Sequence, residues 1–334
     1  MSNYPAERES FTALITTFVA MHTFAWICCL IIIITVVFSP NINRQSTWIN
    51  LNISWIIACF VFAFLLTTGQ LYKISPHPTV CLFQAAAVDA VSSLVAGTML
   101  ALSLQLWLNF RLNSGNLTGM SPQKRDTLLI VLPYVVPLIE FLASLGYAGQ
   151  QPQQVALTDS GMFCGFTNPI PGRIASIYSA ILMIPTASAQ VVLWHYSYRN
   201  WYKFSKNSRN DLVTMIRLGL FTVFGIVSII VSILNLTMQV NSSVVNILES
   251  LRGSTIEHIK TVLGLLICGV TAPVSFVFIF GLQQDLLRAW MFWRAYPTVL
   301  KSASTMWSGI RLIKTPTENE QSQTKTTWKH VEVV

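Results

Sequence analysis

Seven stretches of this chain run for roughly 20 to 30 residues with few charges, close to what an α-helix rising 1.5 Å per residue needs to cross a hydrocarbon layer of about 30 Å. They fall at residues 11–38, 48–70, 80–110, 127–148, 171–197, 212–237 and 258–283, each bounded by a polar, proline-bearing or charged segment. Composition points the same way, with 53% hydrophobic and only 10% charged residues across 334 positions. Soluble domains carry charge on about a quarter of their residues. The expectation is an all-α membrane protein, a seven-transmembrane helix bundle whose main partner is the lipid bilayer. The first run is far longer than the hydrophobic core of a signal peptide, so it is expected to remain as the first span. The net charge of +8 does not point to nucleic acid, because the Lys and Arg residues lie between the apolar runs and not on one folded surface.

Cytoplasmic loops collect Lys and Arg, which sets an orientation. With the N-terminus outside, Arg44, Arg111, Lys124, Arg125, Arg199, Lys203, Lys206, Arg209 and Arg217 face the cytosol, together with every basic residue from Arg288 onward. The outer side keeps only Arg8, Lys73, Arg173, Arg252 and Lys260. The layout is then an extracellular N-terminus (1–10), a bundle (11–283), an amphipathic helix on the inner membrane surface (284–296) and a disordered cytosolic tail (297–334). In the surface helix Leu286, Leu287, Trp290 and Met291 oppose Asp285 and Arg288.

Cys28, Cys29, Cys59 and Cys268 lie inside apolar runs, where cysteine serves as a small buried hydrophobe. Cys81 and Cys164 alone face an oxidising compartment in this topology; a disulfide is the natural inference, with two free thiols as the alternative. Asp89 sits eight residues past Cys81, about 12 Å along the helix. A carboxylate at that depth is costly and marks a functional site by default, the alternative being a hydrogen-bonded structural acid. Glu140 carries the same ambiguity. Ser228, Ser232 and Asn235 share one side of the sixth run, and Gly264, Cys268, Thr271 and Ser275 one side of the seventh. Such stripes suit a pocket or close helix packing equally. Lys260 is too shallow in its run for a buried Schiff-base role. His22 and His258 read as interfacial or packing residues. No metal-ligand spacing, HExxH or GxSxG is present, so an enzyme and a bound cofactor are not expected.

Over residues 11–296 the layout resembles a G-protein-coupled receptor, of the divergent seven-helix kind found in basidiomycete fungi. The features that carry the resemblance are the N-out topology, the pairing of Cys81 with Cys164, Pro273 in the seventh run and the surface helix after it. The stretches Ser160-Gly161-Met162-Phe163-Cys164 and Leu287-Arg288-Ala289-Trp290-Met291-Phe292-Trp293-Arg294 look like those fungal sequences. The chain departs from rhodopsin-like receptors where their third helix ends in an acidic-Arg-aromatic triplet, reading Gln105-Leu106-Trp107 instead. It also carries Ala272-Pro273-Val274-Ser275-Phe276 in place of their Asn-Pro-x-x-Tyr.

The resemblance implies a plasma-membrane receptor that senses an extracellular ligand and couples to a heterotrimeric G protein. Its ligand site is expected at Asp89, Ser93, Ser232, Asn235, Gly264 and Cys268, and its G-protein face at Arg111, Arg199, Lys203, Lys206, Arg209 and Arg217. Asn241, in Asn241-Ser242-Ser243, is expected to be glycosylated, and Asn116 not. The rival is a transporter or channel with Asp89 and Glu140 along a proton or cation path.

Overall fold

The computed structural model describes residues 4–39, 44–73, 75–113, 122–158, 161–199 and 271–281, with a few isolated positions beyond these. The described chain is mostly helical. It comprises α1 (Tyr4–Phe38), α2 (Ser46–Phe62), the one-turn α3 (Phe64–Thr67), α4 (Pro78–Asn113), α5 (Pro122–Gln150), the 3-10 turn Pro152–Gln154, strands β1 (Val155–Leu157) and β2 (Cys164–Phe166), α6 (Ile170–Arg199) and α7 (Thr271–Gly281). Four helices are long and apolar enough to cross a membrane: α1, α4, α5 and α6. The 17-residue α2 is apolar but shorter. The sixth run, the surface helix at 284–296 and the tail at 297–334 lie outside the described residues.

The helices overrun the apolar runs at several ends, because backbone hydrogen bonding continues where hydropathy falls. α4 starts two residues before the third run and continues three beyond it, and α1 reaches back to Tyr4. The second run departs more: α2 stops at Phe62, Ala63 breaks the helix, and the single turn α3 follows. Gly69 closes that turn at φ +67°, where its amide bonds Leu66 O and that of Gln70 bonds Leu65 O. The left-handed conformation there suits glycine.

Which face of each helix is buried follows its sequence at helical spacing. On α6, Ala175, Ser179, Met183, Thr186 and Gln190 are buried while Ile170, Ile174, Ile177, Ile181 and Ile184 stand exposed. On α1, Phe18, His22, Ala25, Cys29 and Ile32 are buried against exposed Phe24, Ile27, Ile31 and Ile34. α5 exposes Leu128, Val131, Leu132, Val135, Leu138 and Leu142. Polar residues inside and continuous aliphatic stripes outside suit lipid as the solvent.

α4 is the centre of the described bundle. Of its most apolar window 72% is buried, against 11% for α5, and α2, α5 and α6 all pack on it. α1 packs on α2, and α7 lies against α1, with Phe276 stacked on Trp55 of α2 at 5.3 Å. Gly97 lets α5 approach closely, since a β-carbon there would come within 3.3 Å of Pro133 Cβ.

The segment between α5 and α6 departs from an all-α reading. β1 and β2 form an antiparallel hairpin pairing Val155 with Phe166 and Leu157 with Cys164. Gly161, at φ +70°, donates its amide to Thr158 O. Cys81 and Cys164 form a disulfide with Cα atoms 5.2 Å apart, joining the start of α4 to β2. Met162 is buried with Phe18, Val19, Leu65, Cys81 and Ala85, and the ring of Phe163 lies against Phe18 and Phe62. The hairpin loop thus plugs this end of the bundle.

Candidate functional site

Beneath the hairpin, Gln84 is the first polar side chain along α4. Fully buried, it donates from Nε2 to Val61 O and accepts at Oε1 from the Cys164 amide, each at 3.0 Å. One amide group therefore ties α2, α4 and the hairpin together. Sequence reading passed over Gln84; its only signal was a polar residue in an apolar run, one turn from Cys81.

Asp89 and Ser93 follow one and two turns further along α4. The register of the antiparallel α5 is fixed by Gly97 against Pro133 and by the rings of Phe83 and Phe141, 5.5 Å apart. Glu140, seven residues beyond Pro133, consequently stands level with Ala90, seven residues before Gly97, and so with the pair Asp89 and Ser93. The two carboxyl groups interact electrostatically, and Glu140 is close to the Ser93 hydroxyl as well. From α6, Gly172 brings the backbone close: a β-carbon there would sit 3.7 Å from Asp89 Oδ1. Tyr178, on the same helix, also feels the Glu140 charge.

This cluster is short of partners. Asp89 Oδ2, Glu140 Oε2 and Ser93 Oγ are buried, and none forms a hydrogen bond of full geometry. Among the described residues neither carboxylate has an ion-pair partner; the one ion pair there, Arg125 to Asp126 at 3.2 Å, lies at the far end of α5. Three of the sequence-derived residues thus come together, Asp89 and Ser93 with Glu140 of the rival reading. Ser232, Asn235, Gly264 and Cys268 lie outside the described residues, as do Lys203, Lys206, Arg209, Arg217 and Asn241. Arg111 falls in the last turn of α4, and Arg199 ends α6 as an exposed residue.

Farther along, the buried polar groups of α4 satisfy one another. Thr98 Oγ1 and Ser54 Oγ are 2.8 Å apart, and Gln190 Nε2 of α6 donates to Ser103 Oγ at 3.3 Å. Thr47 donates to Gln105, whose Nε2 reaches Asp126 Oδ1 at 3.5 Å. Asn50 accepts from Tyr134 and donates to Ile130 O at 3.2 Å. Paired side chains of this kind hold helices together, whereas the Asp89 level is left open.

Four apolar helices of crossing length around a polar interior fit a multi-pass helical membrane protein. Compared with known families and with curated proteins, the chain matches neither a family nor a curated sequence.

Proposed function

We propose that this chain is a receptor-like signalling protein of the plasma membrane, a seven-helix bundle of the G-protein-coupled kind with its N-terminus outside and its C-terminus in the cytosol. One observation carries the reading: the disulfide-pinned hairpin plugs the bundle directly above the under-satisfied cluster Asp89, Ser93 and Glu140, on its most central helix. That is the arrangement of a ligand site with a restricted entrance. An extracellular ligand reaching the cluster, with Ser232, Asn235, Gly264 and Cys268 on the remaining walls, acts by binding one arrangement of α4, α5 and α6 better than another. α4 spans the whole bundle and carries at its far end the Gln105 contacts to Thr47 and Asp126, which gives a shift at Asp89 a physical route to the cytosolic side. There Arg111, Arg199, Lys203, Lys206, Arg209 and Arg217 supply positive charge to a heterotrimeric G protein.

The test is nucleotide exchange. The purified chain in lipid nanodiscs is expected to accelerate GDP release from at least one class of Gα subunit, and Asp89→Asn is expected to change that rate more than it changes surface expression. No acceleration across a panel of Gα classes would reject receptor coupling. The transporter reading draws on the same carboxyl pair and on polar side chains that continue along α4 to Gln105. Proton or cation flux into proteoliposomes, abolished by Glu140→Gln, would favour it.

A further inference from the structure

The Asp89 level poses an electrostatic problem that the described helices leave unsolved. Two carboxyl groups on neighbouring helices stand level within an apolar span, and no described cation faces either of them. Such a pair repels strongly where the dielectric constant is low, and intramembrane acids of this kind are found with a counter-charge. A second observation is independent of the acids. The Ser93 hydroxyl is fully buried, yet it makes neither the backbone bond that Thr98 makes to Leu94 O nor a full hydrogen bond to the Glu140 carboxyl beside it.

We propose that Asp89, Glu140 and the buried Ser93 hydroxyl bind one small oxygen-seeking cation, sodium, between α4 and α5. A cation shared by two carboxylates converts their repulsion into two attractions, and the hydroxyl contributes a neutral oxygen whose lone pairs are otherwise unused. The donor set excludes softer metals, which take imidazole or thiolate ligands. Among the described residues no three His, Cys, Asp or Glu side chains gather, so the carboxylate-rich cage of a calcium site is missing. Close helix approach at Gly97 against Pro133 and at Gly172 against Asp89 leaves a tight space that favours sodium over the larger potassium ion. Sodium here ties α5 to the central helix and belongs to the bundle whether or not the chain couples to a G protein.

The experiment is a thermal melt of the purified full chain in nanodiscs, in NaCl, KCl or choline chloride at equal ionic strength. Sodium is expected to raise the midpoint saturably by about 2–4 °C over choline, as a ligand held by the folded state alone does, with potassium less effective. Glu140→Gln is expected to remove the sodium response. Ser93→Ala, which keeps both charges and changes the helix little, is expected to raise the half-saturating sodium concentration by roughly five- to tenfold. Identical melts of the unmodified chain in sodium and choline would overturn the site, as would a sodium response that survives in Glu140→Gln. A midpoint that tracks pH but not ion identity would assign the pair a shared proton and overturn it too. Should Glu140→Gln fail to fold, the salt series on the unmodified chain and on Ser93→Ala decides. No G protein takes part in these melts, so the outcome is separable from that of the exchange assay.

Discussion

Gln84 holds three segments with one side-chain amide, and removing it leaves a buried carbonyl at Val61 and a buried amide at Cys164 without partners. Each orphaned group costs about 1–3 kcal/mol. Gln84→Leu, similar in size and apolar, is therefore expected to lower the melting midpoint by several degrees although it adds hydrophobicity; an unchanged midpoint would show that the bridge does not hold the hairpin. Gly97 gives a prediction of steric origin. A β-carbon would lie 3.3 Å from Pro133 Cβ, a contact that a shift of a few tenths of an ångström relieves, so Gly97→Ala is expected to be tolerated. Gly97→Val adds two methyl groups with nowhere to go and is expected to cost about 1–3 kcal/mol, read as lost thermal stability in detergent. Asp89 was legible as a site because a charge in an apolar run is conspicuous. Its neighbour Glu140 was legible as a charge, but its level with Asp89 depends on the register set by Gly97 and Pro133, which one sequence does not reveal.

The hairpin between α5 and α6 is the element whose structure least resembles its sequence. Val155–Leu157 and Cys164–Phe166 are three-residue strands without alternation long enough to read, and they owe their form to tertiary ties. Those are the Cys81–Cys164 disulfide, the Gln84 bridge and the burial of Met162. The disulfide itself was foreseeable, since the charge count put only two cysteines on the outer side. It closes a loop of 83 residues, which by chain entropy contributes about 4 kcal/mol. Cys164→Ser is accordingly expected to lower the melting midpoint in oxidising buffer, and dithiothreitol to bring the unmodified chain down to the same value. A variant as stable as the parent would mean that Met162 and Phe163 hold the hairpin without covalent help. Ala63, which ends α2 before the single turn α3, had no signal in a run that stays apolar through Leu66.

Across the whole molecule the described helices invert the plan of a soluble protein, with isoleucine and leucine stripes on the surface of α1, α5 and α6 and amides and hydroxyls along α4. Run lengths made the membrane-crossing helices plain from sequence alone. Which helix occupies the centre was not legible, because α4 and α5 are both long and apolar and only their packing separates 72% from 11% burial. The proposed orientation makes two glycosylation predictions. Expressed in eukaryotic cells, the chain is expected to carry glycan at Asn241 and none at Asn116, read by peptide mass before and after glycosidase. Asn52, in Asn52-Ile53-Ser54, is fully buried within α2 and is expected to stay unmodified. Glycan at Asn116 would reverse the orientation. The central claim, a bundle of seven crossings whose disulfide-bearing hairpin faces outside, is tested most directly by small epitope tags placed ahead of Met1, beyond Val334 and in the hairpin loop after Thr158. Antibody binding is compared in intact and permeabilised cells. The account predicts that the N-terminal and hairpin tags are stained on intact cells and that the C-terminal tag is stained only after permeabilisation; both termini on the same side of the membrane would contradict it.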